Sequence, residues 1–253
     1  MFLSFLFSYF APMYEKTRGI VLHTHPYNDT LSVVHIYTER YGRMAYILPR
    51  GAGRAAKMAR ALYTPLSLIE FEMEYRPGRE LQRIGEAHTW QALPLLQCDP
   101  ARASLALFLA EFLGKVLQSG EAQPDMFAYI ARSIELLGRM QGSYANFHLC
   151  FLVGLAPFLG ITPNADSYRE GYCFNMQEGV FTAGQSLLSP SLSPPEARFL
   201  TRLLRMDFTN MHLFRLSRQQ RAYVLDCIIL YYGLHLPGVG SMKSLAVLHA
   251  IFD

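Results

Sequence analysis

Residues 17–48 run TRGIVLHTHPYNDTLSVVHIYTERYGRMAYIL. Short runs rich in Val, Ile, Thr and Tyr are cut by Pro26-Tyr27-Asn28-Asp29 and by Tyr41-Gly42-Arg43. Branched and aromatic side chains suit a pleated, half-buried surface, and Pro, Asn, Asp and Gly suit the turns between such segments. The stretch therefore predicts strands over Thr17 to His25, Leu31 to Thr38 and Met44 to Leu48. The pattern continues through Leu66 to Tyr75 and Leu81 to Ala87, with Arg76-Pro77-Gly78 as the turn between them.

Five such strands in roughly 75 residues predict a small closed barrel. Their number and size match an oligonucleotide/oligosaccharide-binding (OB) fold, and an SH3-like barrel would give much the same pattern. After Asp99-Pro100 the apolar period becomes helical. Leu105, Phe108, Leu109, Phe112, Leu113 and Val116 form one stripe, and Phe127, Ile130, Ile134 and Leu137 form another. Asn146 to Leu159 is apolar almost all round, as befits the centre of a bundle, and is too short to cross a bilayer. Gly160 to Pro195 is rich in Gly, Pro, Asn and Ser and holds a β-like fragment from Gly171 to Phe181. Helices resume at two capping boxes, Ser193-Pro194-Pro195-Glu196 and Ser217-Arg218-Gln219-Gln220, and a last helix is expected over Met242 to Phe252. The expected class is α+β: an N-terminal extension over 1–13, an OB-fold domain over 14–90, and a larger α-helical domain over 91–253 with a small irregular insertion at 160–193.

At 253 residues the chain suits one small and one larger domain, and with 51% hydrophobic and 17% charged residues it has ample apolar surface for a core. The formal charge of +3 points to no partner by itself, but it is segmented. Residues 1–83 carry 11 Lys/Arg against 7 Asp/Glu, 84–195 carry 5 against 9, and 196–225 carry six Arg against Glu196 and Asp207. Two basic segments around an acidic one suit a polyanionic partner, although proteins that bind no polyanion show such segregation too. Cys98, Cys150, Cys173 and Cys227 form no C-x-x-C pair and have no His at ligand spacing, so neither zinc nor a disulfide framework is indicated. Buried free thiols at Cys150 and Cys227 fit a reducing cytoplasm. The opening MFLSFLFSYFAP is too short for a membrane span and lacks the basic start and cleavage site of a signal peptide. It reads as an extension before a second start at Met13, or as a segment packed onto the body.

The segment Leu48 to Arg60, LPRGAGRAAKMAR, mixes small residues with the cations Arg50, Arg54, Lys57 and Arg60. Small residues let a backbone approach a phosphate chain, and spaced cations supply charge-assisted contacts along it. Arg40 and Arg43 on the preceding hairpin would add to the same side. A solvated loop fits these residue types equally well. No Gly-Lys-Ser/Thr triplet follows, which excludes a Walker-type nucleotide loop, and the alternating strand–helix pattern of a dinucleotide fold is missing. Tyr37, Tyr41, Tyr46 and Tyr63 lie in or near the basic segment, where one or two exposed rings would stack on bases while the rest fill the barrel. His23 and His25 share a strand face at a spacing that can ligate metal, but no carboxylate or thiol stands out to complete a site, so an ordinary surface pair is the better reading. Glu70, Glu72 and Glu74 line one strand face and read as a salt-bridged surface. No catalytic constellation of paired carboxylates, nucleophile and base, or two-metal cluster is present, so no enzyme activity and no cofactor are expected. Arg198, Arg202, Arg205, Arg215, Arg218 and Arg221 suit duplex phosphates or an acidic tail of a partner, or plain surface decoration.

Several blocks in order along the chain from Met13 resemble the RecO family. They are Thr17-Arg18-Gly19-Ile20-Val21-Leu22 followed by Tyr27 and Thr38-Glu39-Arg40-Tyr41-Gly42; Gly51-Ala52 with Arg54 and Lys57, leading to Thr64-Pro65-Leu66 and Leu81 to Glu86; Phe151-Leu152-Val153-Gly154-Leu155-Ala156-Pro157; and Tyr231-Tyr232, His235, Lys243-Ser244-Leu245 and Val247-Leu248. The resemblance implies an OB domain followed by a helical domain that bind single- and double-stranded DNA and anneal complementary strands. It also implies partnership with RecR, and in some members RecF, in loading RecA onto DNA coated by single-strand-binding protein, whose acidic C-terminal tail is a further partner. Many relatives carry a four-cysteine zinc site after the third helix. Here Gly160 to Phe181 keeps only Cys173, so zinc is not expected there, and either packing of Tyr168, Tyr172, Phe174 and Phe181 supplies the order instead or the lobe is mobile. Gly53 and Ala56 stand where relatives often have cations, which points to weaker DNA contact through that loop, or contact shared with Arg40, Arg43 and the later arginines. The main alternative is an interaction scaffold that binds acidic partner tails with little DNA binding of its own.

Overall fold

A computed structural model describes residues 14–51, 53, 60–117, 121–142, 144–186, 188–240 and 242–252. The expected extension at 1–13 lies outside the described residues. Strands β1 (Tyr14–Pro26), β2 (Leu31–Thr38), β3 (Gly42–Pro49), β4 (Leu68–Glu74) and β5 (Leu81–Gln91) close into a barrel in the order β1-β2-β3-β5-β4. Every neighbouring pair is antiparallel except β3 and β5. This skip past β4 is the Greek-key arrangement of an OB-like barrel.

Closure depends on β1. Its residues Tyr14 to Ile20 pair with β4, and Gly19 to Pro26 pair with β2. Both pairings overlap at Gly19, where an added Cβ would stand 2.4 Å from Ile36 Cγ2 and 2.9 Å from the Phe71 ring. Inside, Val21, Val34, Ile36, Ile69, Phe71 and Met73 pack around Tyr46, which meets Phe71 edge-on with centroids 5.2 Å apart. A bulge follows: Val21 faces Ile36, the next cross-strand pair is His23 with His35, and Leu22 is the extra residue. Val21 and Leu22 are both buried while His23 emerges on the outer face.

The helical part comprises α1 (Leu95–Cys98), α2 (Pro100–Val116), α3 (Pro124–Arg139) and α4 (Phe147–Leu155), which continues into a 3-10 turn at Ala156–Leu159. Next comes a small sheet of β6 (Cys173–Asn175), β7 (Val180–Thr182) and β8 (Ser191–Leu192), and then α5 (Pro194–Leu203), α6 (Arg218–His235) and α7 (Lys243–Phe252). The chain divides into two compact units, with 117–124 grouped with the barrel and 93–116 and 125–253 forming the other.

Leu105, Phe108, Phe112 and Leu113 of α2 and Phe147, Leu149, Phe151, Leu152 and Leu155 of α4 are fully enclosed, so the stripe and the all-round apolar segment form the core together. The Tyr232 hydroxyl of α6 donates to the Leu152 carbonyl of α4 at 2.7 Å. The expected irregular insertion is more regular than its composition suggests. Its three-stranded sheet is backed by Phe174 against Phe181 at 4.9 Å and Tyr168 against Phe181 at 5.2 Å, with Tyr231 of α6 5.9 Å from Phe174. Asn175 Oδ1 meanwhile accepts from the backbone N–H groups of Gln177 and Glu178. Among the described residues no helix is long and apolar enough to cross a membrane.

Two charged side chains are spent inside the helical unit. Arg102 is buried; it donates to the Leu137 and Met140 carbonyls at 2.7 Å each, pairs with Asp99 at 3.2 Å and lies over the Tyr144 ring. It thereby satisfies the otherwise orphaned carbonyl end of α3. Glu111 of α2 accepts from the backbone N–H groups of Lys243 and Ser244 at 3.0 and 2.8 Å, so a carboxylate from one helix caps another.

The crowding at Gly19 predicts that Gly19→Ala overpacks the barrel core. Chemical denaturation should show a loss of about 1–3 kcal/mol, and an unchanged midpoint would contradict the close approach of Ile36 and Phe71.

Candidate nucleic-acid interface

An open groove of about 750 Å³ runs beside the barrel, between the end of β1, the end of β3 and β5. Arg50 and Arg60 line it together with Tyr63, His25 and Gly51. The turn between β1 and β2 sets the position of Arg50. Asn28 Oδ1 accepts from the backbone N–H groups of Thr30 and Leu31 at 3.0 and 2.8 Å, closing an Asx turn. The Arg50 backbone N–H then donates to the Thr30 carbonyl at 2.7 Å, and its guanidinium donates to the Asn28 carbonyl at 3.0 Å. That contact uses one of five N–H donors and leaves the exposed head able to meet a phosphate. Arg60 is exposed, and its backbone carbonyl accepts from the Tyr63 N–H at 3.2 Å. Arg54 and Lys57 lie outside the described residues.

Arg40 and Arg43 do not join this group. They lie at the β2–β3 turn, whereas Arg50 lies at the far end of the same hairpin, and strands of this length separate the two ends by roughly 23 Å. Arg40 pairs with Glu15 at 3.5 Å. Arg43 stands opposite Tyr37. The expectation of one cationic side is therefore corrected to two stations along the hairpin.

Of the four tyrosines, Tyr37 and Tyr46 are buried and Tyr41 stacks on Tyr75 at 4.7 Å, which leaves Tyr63 as the groove's ring. Burial pushes the Tyr63 hydroxyl up to about 12, so it stays protonated and able to donate. The acidic strand face is salt-bridged, with Glu72 3.4 Å from Lys16, and Glu70 3.4 Å from Arg18 and 3.3 Å from His88.

On the helical unit, Arg198 and Arg202 are exposed one turn apart on α5, with Arg205 just beyond it. Arg198 meets Glu170 at 3.6 Å, and Arg215 and Arg218 are exposed. Arg221 differs from these. It is half-buried, donates to Asn146 Oδ1 at 3.1 Å and to the Leu216 carbonyl at 3.2 Å, while Asn146 donates onward to the Met211 and Phe214 carbonyls. This guanidinium is committed to holding the segment before α6. Beside α5 lies an apolar groove of about 300 Å³, lined by Leu152, Phe174, Phe199, Leu203, Val224 and Ile228. Nothing in the sequence singled it out; its one signal was the surplus of large apolar residues on α5 and α6 beyond what one buried stripe requires.

His35 also escaped the sequence reading. Cross-strand pairing places it beside His23, with the rings stacked at 4.2 Å. Burial, reinforced by His23, His25 and Arg43, lowers the His35 ring to about 4, and burial likewise lowers His23, so both are uncharged at neutral pH. Between 160 and 181 Cys173 is the sole cysteine and is buried in β6, so these residues do not fit a four-thiolate metal site.

The described residues thus form a closed OB-like barrel with a cation-lined groove and a helical unit that carries an arginine-bearing helix. The chain matches the family model "Recombination protein O N terminal" over residues 13–92 and "Recombination protein O C terminal" over 97–246. It is 42% identical over 241 residues to the DNA repair protein RecO of Phocaeicola vulgatus and 43% over 242 residues to that of Bacteroides fragilis, covering 95% of this chain and 100% of each relative. The DNA repair protein RecO of Porphyromonas gingivalis is 36% identical over 241 residues, covering 94% of this chain and 98% of the relative. The chain belongs to the RecO family of DNA repair proteins, which are recombination mediators.

The contrast among the arginines is measurable. Arg221→Ala strands buried partners and should cost about 1–3 kcal/mol in denaturant unfolding, whereas exposed Arg202→Ala should stay within about 0.5 kcal/mol of the parent.

Proposed function

We propose that this protein is a non-catalytic DNA-repair mediator that binds single- and double-stranded DNA through the barrel and anneals complementary strands. In this reading it works with RecR, and in some settings RecF, to load RecA onto DNA coated by single-strand-binding protein. The observation that carries the proposal is the pairing of exposed Arg50 and Arg60 with Tyr63 along one groove of an OB-like barrel. Cations tracking a phosphate chain beside a ring that can stack on a base are the parts of a sequence-tolerant single-strand site. Arg54 and Lys57, in the same segment of sequence, extend the cationic run, and the α5 arginines offer a second phosphate surface.

If about five phosphates are neutralised, the logarithmic salt slope on single strands should be about −3.5, and Arg50→Ala/Arg60→Ala should reduce its magnitude by about 1.4. Fluorescence anisotropy across a salt series measures both. Annealing of complementary strands pre-coated with single-strand-binding protein should slow in Arg50→Ala/Arg54→Ala/Lys57→Ala, and undiminished annealing would remove this groove from the DNA path.

The scaffold reading draws on a separate observation, the apolar groove beside α5, the helix that also carries Arg198 and Arg202. A tail that is acidic with an apolar end, such as that of single-strand-binding protein, would seat the end in the groove and its carboxylates on the arginines. A labelled tail peptide should bind the parent chain and lose binding in Ile228→Glu. Tail binding in a protein that does not anneal would favour the scaffold.

A further inference from the structure

We propose that His23, His25 and His35 form a binding site for a borderline transition-metal ion, zinc foremost, on the outer face of the barrel. Among the described residues this is the one group of three or more His, Cys, Asp or Glu side chains whose donor atoms gather closely: one nitrogen from each ring lies within 4.8 Å of the others. The strand register builds the cluster. The bulge at Leu22 turns His23 outward opposite His35, and His25 follows two residues on, with ring centroids 4.2 Å apart for His23–His35, 5.5 Å for His25–His35 and 5.8 Å for His23–His25.

A tetrahedral zinc ion with bonds of 2.0–2.1 Å to nitrogen needs nitrogens about 3.4 Å apart. The rings must therefore close by about 1.4 Å at most, within reach of small rotamer adjustments on two hydrogen-bonded strands. His23 and His25 are exposed and His35 is half-buried, so the barrel core does not require three imidazoles here. Three imidazoles without a carboxylate suit zinc, nickel or copper and not magnesium or calcium, which take oxygen ligands. Three protein nitrogens leave a fourth position open to water or to a ligand. Arg43 lies within electrostatic reach of His23 and His35 and disfavours a second cation, so affinity should fall below that of all-thiolate structural sites. The ion closes onto a barrel that is already formed, so it adds stability to the fold without being required for it. His25 also lines the groove that holds Arg50 and Arg60. If the DNA reading of that groove holds, the bound ion adds positive charge to its wall, whereas metal binding itself is independent of that reading and is tested without DNA.

The test uses tag-free full-length protein stripped with a chelator, titrated with zinc by calorimetry and by competition with a chromophoric chelator. One equivalent per chain is expected. His35→Gln and His25→Gln should each weaken binding at least about tenfold, the lower bound set by losing even an outer partner of a metal ligand. The exposed His212→Gln should not. Zinc should raise the unfolding midpoint of the parent but not of His35→Gln, and magnesium should do neither. Should His35→Gln fail to fold, the exposed His25→Gln carries the test. Absence of a one-equivalent site, retention of zinc by folded His25→Gln, loss of zinc in Cys173→Ser, or equal binding of magnesium would each overturn the proposal.

Discussion

One strand holds the barrel shut. Because β1 exchanges backbone hydrogen bonds first with β4 and then with β2, every strand of the sheet has two neighbours and none is left as an edge. β1 passes from one partner to the other at Gly19 and Ile20, and the close approach of Ile36 and Phe71 leaves no room for a side chain at position 19. The bulge at Leu22 then resets which face each residue meets. Val21 closes the core, while His23 and His25 turn outward, and the strand ends at the Asx turn that positions Arg50. The groove and the histidine face are thus both fixed by how one strand passes through its two pairings.

Much of this was legible in residue types, and the boundary of legibility is physical. Strands and helices announce themselves through period and turn chemistry, so all five barrel strands, the enclosed fourth helix and the Ser193 and Ser217 caps were readable within a few residues. Pairing was not. No local pattern says that β3 runs beside β5, and no residue type fixes the β1–β2 register that brings His23 to His35. His35 lies alone in its strand; only the antiparallel register gives it company. The direction of a side chain is similarly hidden. Arg221 reads as one of six cations, yet a buried amide claims it, and Arg102 reads as surface charge although it closes the end of a helix. In the lobe at 160–193 the β-like fragment was legible but its pairing was not, because Gly- and Ser-rich composition signals turns without saying which short strands they join around Phe174 and Phe181.

Set side by side, the two units use cations in opposite ways. On the barrel, Arg50 and Arg60 are exposed along the groove, where a contact with any polyanion would be weakened by salt. Within the helical unit, Arg102 and Arg221 are instead committed to carbonyl and amide oxygens of the protein itself. The chain holds both kinds: cations open to solvent on the barrel and cations locked into the frame of the helical unit.

The Glu111 carboxylate that receives the start of α7 has a consequence for the order in which the chain acquires its structure. Its partners lie 132 and 133 positions further along. A loop of that span closes late, because the entropy of bringing its ends together must be met before any contact rewards it. During synthesis α2 therefore emerges with its Glu111 carboxylate not yet clasped, on a helix whose other charged residues are Arg102 and Lys115, and the charge keeps that flank hydrated until residues 243 and 244 arrive. One ionised oxygen pair thus works first as a solubilising group on a nascent helix and later as the clasp that fastens the C-terminal helix in place.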